Sequence, residues 1–161
     1  MRRNLAKMLF EFKKYWKNYL FQSLLAMVVI FLLLIFIDFL GILIVASIGA
    51  TAFIIFAMPE NITAKPYNVI GGHVVGIFWG SLCSLIPHYG IIISAIIYSI
   101  AVGLSILTMV IIDTEHPPAT GTALAVAVSG FSITLTISVL VPVVGLSLIH
   151  VIFRNQIRDL V

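Results

Sequence analysis

Two prolines stand directly behind a knot of ionisable and polar side chains, Asp113-Thr114-Glu115-His116-Pro117-Pro118, and small apolar residues then follow to Gly130. Proline suits the first turn of a helix, where the N–H it lacks would have had no partner. The spacing predicts a helix opening at Pro118, with the N–H groups of Ala119, Thr120 and Gly121 free at its positive end and the Thr120 and Thr122 hydroxyls beside them. Backbone donors and hydroxyls at a helix N-terminus are the chemistry of a small-anion site. His116, next to Pro117, would stand at its mouth with a side chain whose charge changes near neutral pH. The plainer alternative makes His116 a brace for the turn and the two threonines packing hydroxyls bonded to their own helix.

A second group of polar residues lies earlier. Ser47, Gly49 and Thr51 sit in an apolar segment, and His73 opens another. His73 and His116 fall at the same side of the chain's predicted spans, with Lys65, Glu60, Asp113 and Glu115 in the surrounding loops, so Lys65 could gather anions in a mixed vestibule. Here the alternative is an ordinary solvated interface with His73 reaching outward. Asn68 is placed to cap the helix of His73. Two histidines and three acids on one side also raise metal chemistry, yet no H-E-x-x-H or comparable spacing occurs, so the chain reads as no enzyme, with no metal and no cofactor. His88 and His150 lie near span ends and receive no role.

The elements that must position these residues belong to a membrane. Of 161 residues, 61% are hydrophobic and 9% charged, which excludes an ordinary soluble domain. The lone Cys83 lies in an apolar run, so disulfides and cysteine-based metal sites are excluded. A net charge of +3 comes mostly from the first residues, and therefore speaks of membrane orientation and not of nucleic acid.

Residues 1–18 combine Arg2, Arg3, Lys7, Lys13, Lys14 and Lys17 with apolar residues at helical spacing, predicting a cytoplasmic amphipathic helix on the membrane surface. From 19 to 161 a single transmembrane domain follows. Spans are expected at about Tyr19–Asp38 and Gly41–Met58, joined tightly through Phe39 and Leu40. A third runs from Gly71 to near Pro87, a fourth from Gly90 to Ile112 and a last from Ser132 to Phe153. Gly72, Gly76, Gly80 and Ser84 recur every fourth residue, and Ala95, Ser99 and Gly103 repeat the device, so each series should meet another helix closely. The segment 117–129 is too short to cross roughly 30 Å of hydrocarbon as a helix, and is expected as a half-helix, a re-entrant element or a tilted span. Six passes with both termini cytoplasmic satisfy the basic residues at each end, Arg154 and Arg158 included.

Spans one to three and elements four to six share an outline, which suggests a 3+3 inverted repeat with a substrate near the midplane. That would join Ser47, Gly49 and Thr51 to Thr120, Gly121 and Thr122.

The residues His116-Pro117-Pro118-Ala119, and the earlier stretch SIGATAFIIFAMPENITAKPYNVIGGHVVG at 47–76, resemble the two signature regions of the HPP family of integral membrane proteins. The resemblance implies a compact helical membrane domain and, from plastid and cyanobacterial relatives, nitrite transport. This chain departs from the common pattern at Lys65 and Tyr67, where the family often has glutamine and arginine, and in the order Thr120-Gly121-Thr122. The expectation is therefore an all-α polytopic domain of about six membrane helices in the lipid bilayer of the cell membrane, forming a homo-oligomer. It binds a small anion as substrate, with a non-transporting scaffold or partner subunit as the alternative, and an intramembrane metalloenzyme after that.

Overall fold

The computed structural model describes the backbone of residues 5–36, 42–87 and 89–160, and the side chains of 10, 12–32, 46–87 and 89–160. The expected tight link through Phe39 and Leu40, Asp38, His88 and the first four residues lie outside that set. Among the described residues there are six helices: α1 (Leu5–Phe36), α2 (Ile42–Ala57), α3 (Pro66–Ser84), α4 (Ile91–Ile111), α5 (Pro118–Ser129) and α6 (Ile133–Phe153), with a 3-10 turn at Ile62–Ala64. By length and apolarity, Phe12–Leu32 of α1 and the whole of α4 and α6 can each cross a bilayer. The domain is a polytopic helical membrane domain.

Local chemistry explains the boundaries. Pro66 sits in the first turn of α3, so that helix begins before the expected Gly71, with Lys65 in extended conformation ahead of it. Asn68 is therefore inside the helix and not its cap. Its amide Nδ2 donates instead to the Asp113 and Glu115 carbonyls, both at 3.4 Å. Ser132 caps α6 by accepting from the Leu135 N–H at 3.3 Å. In α1 the expected surface helix and first span form one continuous element, interrupted only at Tyr15, whose φ of −121° and ψ of 17° mark a kink. The Arg158 guanidinium lies 3.8 Å from the centre of the Tyr15 ring.

The helices alternate in direction. The start of α3 meets the end of α4 through Asn68, and the end of α6 meets the loop after α2 through His150 Nε2, which donates to the Pro59 carbonyl at 2.9 Å. At that same end the segment after α6 folds back on α1 and α2. Gln22 Nε2 donates to the Phe56 carbonyl at 2.6 Å and to the Arg158 carbonyl at 2.8 Å, the Tyr19 hydroxyl to the Leu160 carbonyl at 3.1 Å, and the Leu160 N–H to the Ala57 carbonyl at 2.9 Å. Tyr19 and the chain's last described residues thus share one end of the molecule.

Helix α5 leads away from that end and α6 returns to it, although α5 has only 12 residues. The missing length is supplied by the non-helical 113–117 segment, which carries His116 inward to a position beside Thr51, six residues, or roughly 9 Å of helix rise, before α2 ends at Ala57.

At the centre α3 packs on α5. A Cβ added at Gly76 would stand 2.5 Å from the Ala119 carbonyl oxygen, and one at Gly80 would stand 2.6 Å from that of Ala123. The series at Gly72, Gly76 and Gly80 is the close-approach face expected of it. On α4 the expected face is the wrong one: Ala95, Ser99 and Gly103 are exposed, and Ile97, Ala101, Ser105 and Met109 turn inward. Helix α4 is apolar all round, so two period-four rows compete, and the one whose side chains fit beside Trp79, Cys83 and Ala127 wins.

A candidate polar site at the meeting of three helices

Ser47 and Thr51, four residues apart, share one face of α2; His73 faces them from α3 and Thr122 from α5. His116 arrives from the segment before α5. All five are buried, with relative exposures of 4% for Ser47 and 0% for the rest. Apolar residues at neighbouring positions in the same helices, Ile48, Val69, Ala119 and Ala123 among them, are buried as well.

The five side chains form one hydrogen-bonded chain. Ser47 Oγ donates to the Pro118 carbonyl at 2.6 Å and lies 2.9 Å from Thr122 Oγ1, which is 2.8 Å from His73 Nδ1. His73 Nε2 is 3.1 Å from Thr51 Oγ1, and Thr51 Oγ1 is 2.9 Å from His116 Nε2. His116 Nδ1 ends the chain by donating to the Thr63 carbonyl at 2.8 Å. The two imidazole rings stand 5.2 Å apart, tilted by 50°. Thr51 is also within 3.0 Å of the Ser47 carbonyl, the usual back-bond of a helical hydroxyl. Gly72 makes room for this, since a Cβ there would lie 2.7 Å from His116 Cβ.

Of the residues singled out from the sequence, Ser47, Thr51, His73, His116 and Thr122 come together. Gly121 backs them, its Cβ position 3.4 Å from Ser47 Cβ. The others do not join. The N–H groups of Ala119 and Thr120, expected free, donate to the His116 and Pro117 carbonyls at 2.9 and 3.1 Å, as in any first helical turn. Ala119 is fully buried against Gly76, and Pro117 is exposed. The Thr120 hydroxyl donates to the Pro117 carbonyl at 2.8 Å. Gly49 lines an apolar cleft of about 680 Å³ between α1 and α2, with Gln22, Met27 and Phe53. Lys65 is exposed in a separate groove of about 500 Å³ with Glu60, His150 and Arg154. His73 therefore lies in the interior and not in a vestibule with Lys65.

Two contributors carried no signal that sequence reading used, the Thr63 carbonyl and Gln22 as the tie for residues 158–160, while Gly72, read from the sequence as a helix-contact glycine, also leaves the room that His116 occupies. A glutamine amid apolar residues is itself a legible oddity in a membrane helix. Among the described residues no group of three His, Cys, Asp or Glu gathers as for a metal ion. What the cluster offers is neutral: hydroxyls and imidazoles, able to donate to a small anion or to pass a proton, with no lysine, arginine or carboxylate among its members.

The family model described as HPP, transmembrane region, matches residues 12–158. A transmembrane protein of Dictyostelium discoideum is 35% identical over 80 residues, which are 50% of this chain and 28% of that relative. A second transmembrane protein of the same organism is 32% identical over 88 residues, 55% of this chain and 28% of its own. The match thus spans under a third of the length of either relative. No solved structure matches.

Proposed function

The chain belongs to the HPP transmembrane family, and we propose from that premise that it moves a small inorganic anion, nitrite foremost, across the cell membrane through the cluster of Ser47, Thr51, His73, His116 and Thr122. One observation carries the reading: five polar side chains, two of them imidazoles, are sealed inside a membrane domain at 0–4% exposure without a single formal charge. Polar groups placed so deep among apolar helices are costly and are a mark of a solute or proton pathway. The lack of buried carboxylates among the described residues favours an anion over a cation, because cation pathways in membranes rely on Asp and Glu. The donors are the Ser47 and Thr122 hydroxyls, which face one another between α2 and α5, where Gly121 keeps the wall thin. Both halves of the proposed repeat contribute, α2 and α3 from one and His116 with α5 from the other. Rocking one half on the other would open the cluster alternately to each side. No bond chemistry on the solute is part of this reading.

The scaffold reading also has a specific observation behind it, the glycine-lined contact of α3 with α5, which is packing without a cavity. The test is flux of nitrite, nitrate, formate and chloride into proteoliposomes, wild type beside Thr122→Val. Saturable uptake of one anion, lost in the folded variant, supports transport. Folded, inserted protein that passes none of the four supports the scaffold.

A further inference from the structure

The cleft of about 680 Å³ between α1 and α2 has two unlike ends. Tyr19 and Gln22 line one end beside Leu160; Met27 and Phe31 of α1 and Gly49 of α2 line the other. Small residues keep the walls apart there, and nothing lies within 4 Å of a Cβ built at Gly49. From Tyr19 to Phe31 α1 rises roughly 18 Å, and one leaflet's share of the hydrocarbon core is roughly 15 Å. The cleft therefore runs from one membrane surface to about the midplane, which is the reach of one acyl chain.

Positive charge collects at the surface end. Arg158 is held there by its carbonyl, which accepts from Gln22 Nε2 at 2.8 Å, and its guanidinium lies 3.8 Å from the centre of the Tyr15 ring. Lys14 Nζ lies 5.0 Å from the same ring. Tyr15 stands about one turn beyond Tyr19, so both cations sit where the cleft meets the surface, with Lys13 and Lys17 exposed nearby. The carboxylate next to Arg158 in sequence is engaged elsewhere, since Asp159 Oδ1 accepts the Glu60 N–H at 3.0 Å. Lys14 and Arg158 thus rest on an uncharged ring, at the same end of the cleft that carries its polar side chains.

We infer that this cleft binds one anionic phospholipid, its phosphate at Lys14 and Arg158 and one acyl chain along Met27 and Phe31 against α2. A cleft open to hydrocarbon fills with chain, because wall atoms left without neighbours forfeit dispersion energy. The two cations then select the head. An anionic headgroup gains from both, whereas a zwitterionic one brings a cation of its own that they repel. The lipid bridges α1, α2 and residues 158–160, three segments that otherwise meet through a few hydrogen bonds to Gln22, Tyr19 and Ala57. Ser47 and Thr51 project from the opposite side of α2 to Gly49, so the lipid site and the buried polar cluster share no side chain. The inference therefore stands apart from the transport reading.

The test is native mass spectrometry of the wild-type chain released from mixed micelles holding equal amounts of phosphatidylglycerol and phosphatidylcholine, with matched acyl chains and one lipid deuterated. One phosphatidylglycerol retained per chain, in roughly tenfold preference or more, is expected. Lys14→Gln with Arg158→Gln should bring the preference toward parity. Lys65→Gln with Arg154→Gln, equal in charge but placed in the other groove, should keep it. Gly49→Leu projects a side chain into the cleft and leaves the cations in place, so the folded variant should retain less of both lipids. Free glycerol 3-phosphate should not displace the bound lipid. Equal retention of the two lipids by wild type, equal loss of preference in both double variants, or unchanged retention in Gly49→Leu overturns the proposal. So does displacement by the free headgroup, or a dimer that Gly49→Leu dissociates, which would put a second copy of the chain in the cleft.

Discussion

Gly76 and Ala119 are in such close approach that a Cβ on the glycine would stand 2.5 Å from the alanine carbonyl oxygen, and 3.2 Å from the Ala123 nitrogen. Both obstacles are backbone of α5, which cannot swing aside as a side chain can. Gly76→Ala must push α3 and α5 apart along the line that carries His73 and Thr122. A loss of roughly 1–3 kcal/mol is expected. Gly103→Ala supplies the control, since nothing lies within 4 Å of its Cβ position and alanine is the better helix former by about 1 kcal/mol. Thermal unfolding of the two variants in the same detergent should move the midpoint down for the first and leave it level or higher for the second.

Gln22 ties three separate segments together. Its amide reaches the end of α2 at Phe56 and the chain after α6 at Arg158, while its Oε1 accepts the Arg158 N–H at 3.4 Å. Gln22→Leu keeps the volume and removes these bonds, leaving two carbonyls in apolar surroundings at a cost of roughly 1–3 kcal/mol. The visible consequence is release of residues 154–160. Trypsin should cleave after Arg154 and Arg158 several-fold faster in the variant, with the remainder of the domain still protected. Equal cleavage rates in variant and wild type would remove Gln22 from this role.

Much of this fold can be read from its punctuation. Gly90 before α4, Pro118 opening α5 and Ser132 before α6 mark boundaries that the structure keeps to within a residue. These are local signals with local causes. The site was legible in its residue types and only partly in its membership. Gly49 lies between Ser47 and Thr51, which are four apart, so it points about 200° away from them and cannot share their site; helical phase alone settles that. No comparable rule shows that Lys65 turns to Arg154 while His73, eight residues on, turns inward. That choice is made when α3 seats its glycines on α5, a tertiary event. The inward row of α4 is hidden for the same reason, because both of its period-four rows are largely apolar and only the partner's surface distinguishes them.

Asp113 adopts a left-handed backbone with φ of 54°, and is the non-glycine residue that does so among those described. It follows Ile112, whose N–H donates to the Thr108 carbonyl at 3.1 Å, and the next N–H, of Thr114, returns to the Met109 carbonyl at 2.9 Å. That pattern is the Schellman end of a helix, where glycine is normally found. A side chain there costs about 1–2 kcal/mol, offset in part by the extra freedom that glycine brings to the unfolded chain. Asp113→Gly should therefore be neutral or stabilising by up to about 1 kcal/mol, read as the unfolding midpoint, with anion flux unchanged because the carboxylate is exposed and outside the cluster.

Thr51 is the one hydroxyl that touches both imidazoles, 3.1 Å from His73 and 2.9 Å from His116. Thr51→Val replaces it by a methyl of nearly the same size, leaving both Nε2 atoms buried against carbon, and Thr51→Ser restores the hydroxyl while losing only a methyl. The valine variant should lose roughly 1–3 kcal/mol of stability, the serine variant about 1 kcal/mol. Stability alone does not separate bracing from transport, but flux does. If the two histidines communicate through this oxygen, the valine variant passes at least tenfold less nitrite than the serine variant at equal amounts of folded, inserted protein. If the hydroxyl only holds the helices together, flux per folded molecule is the same in both, and the loss shows solely as a lower yield of folded valine variant.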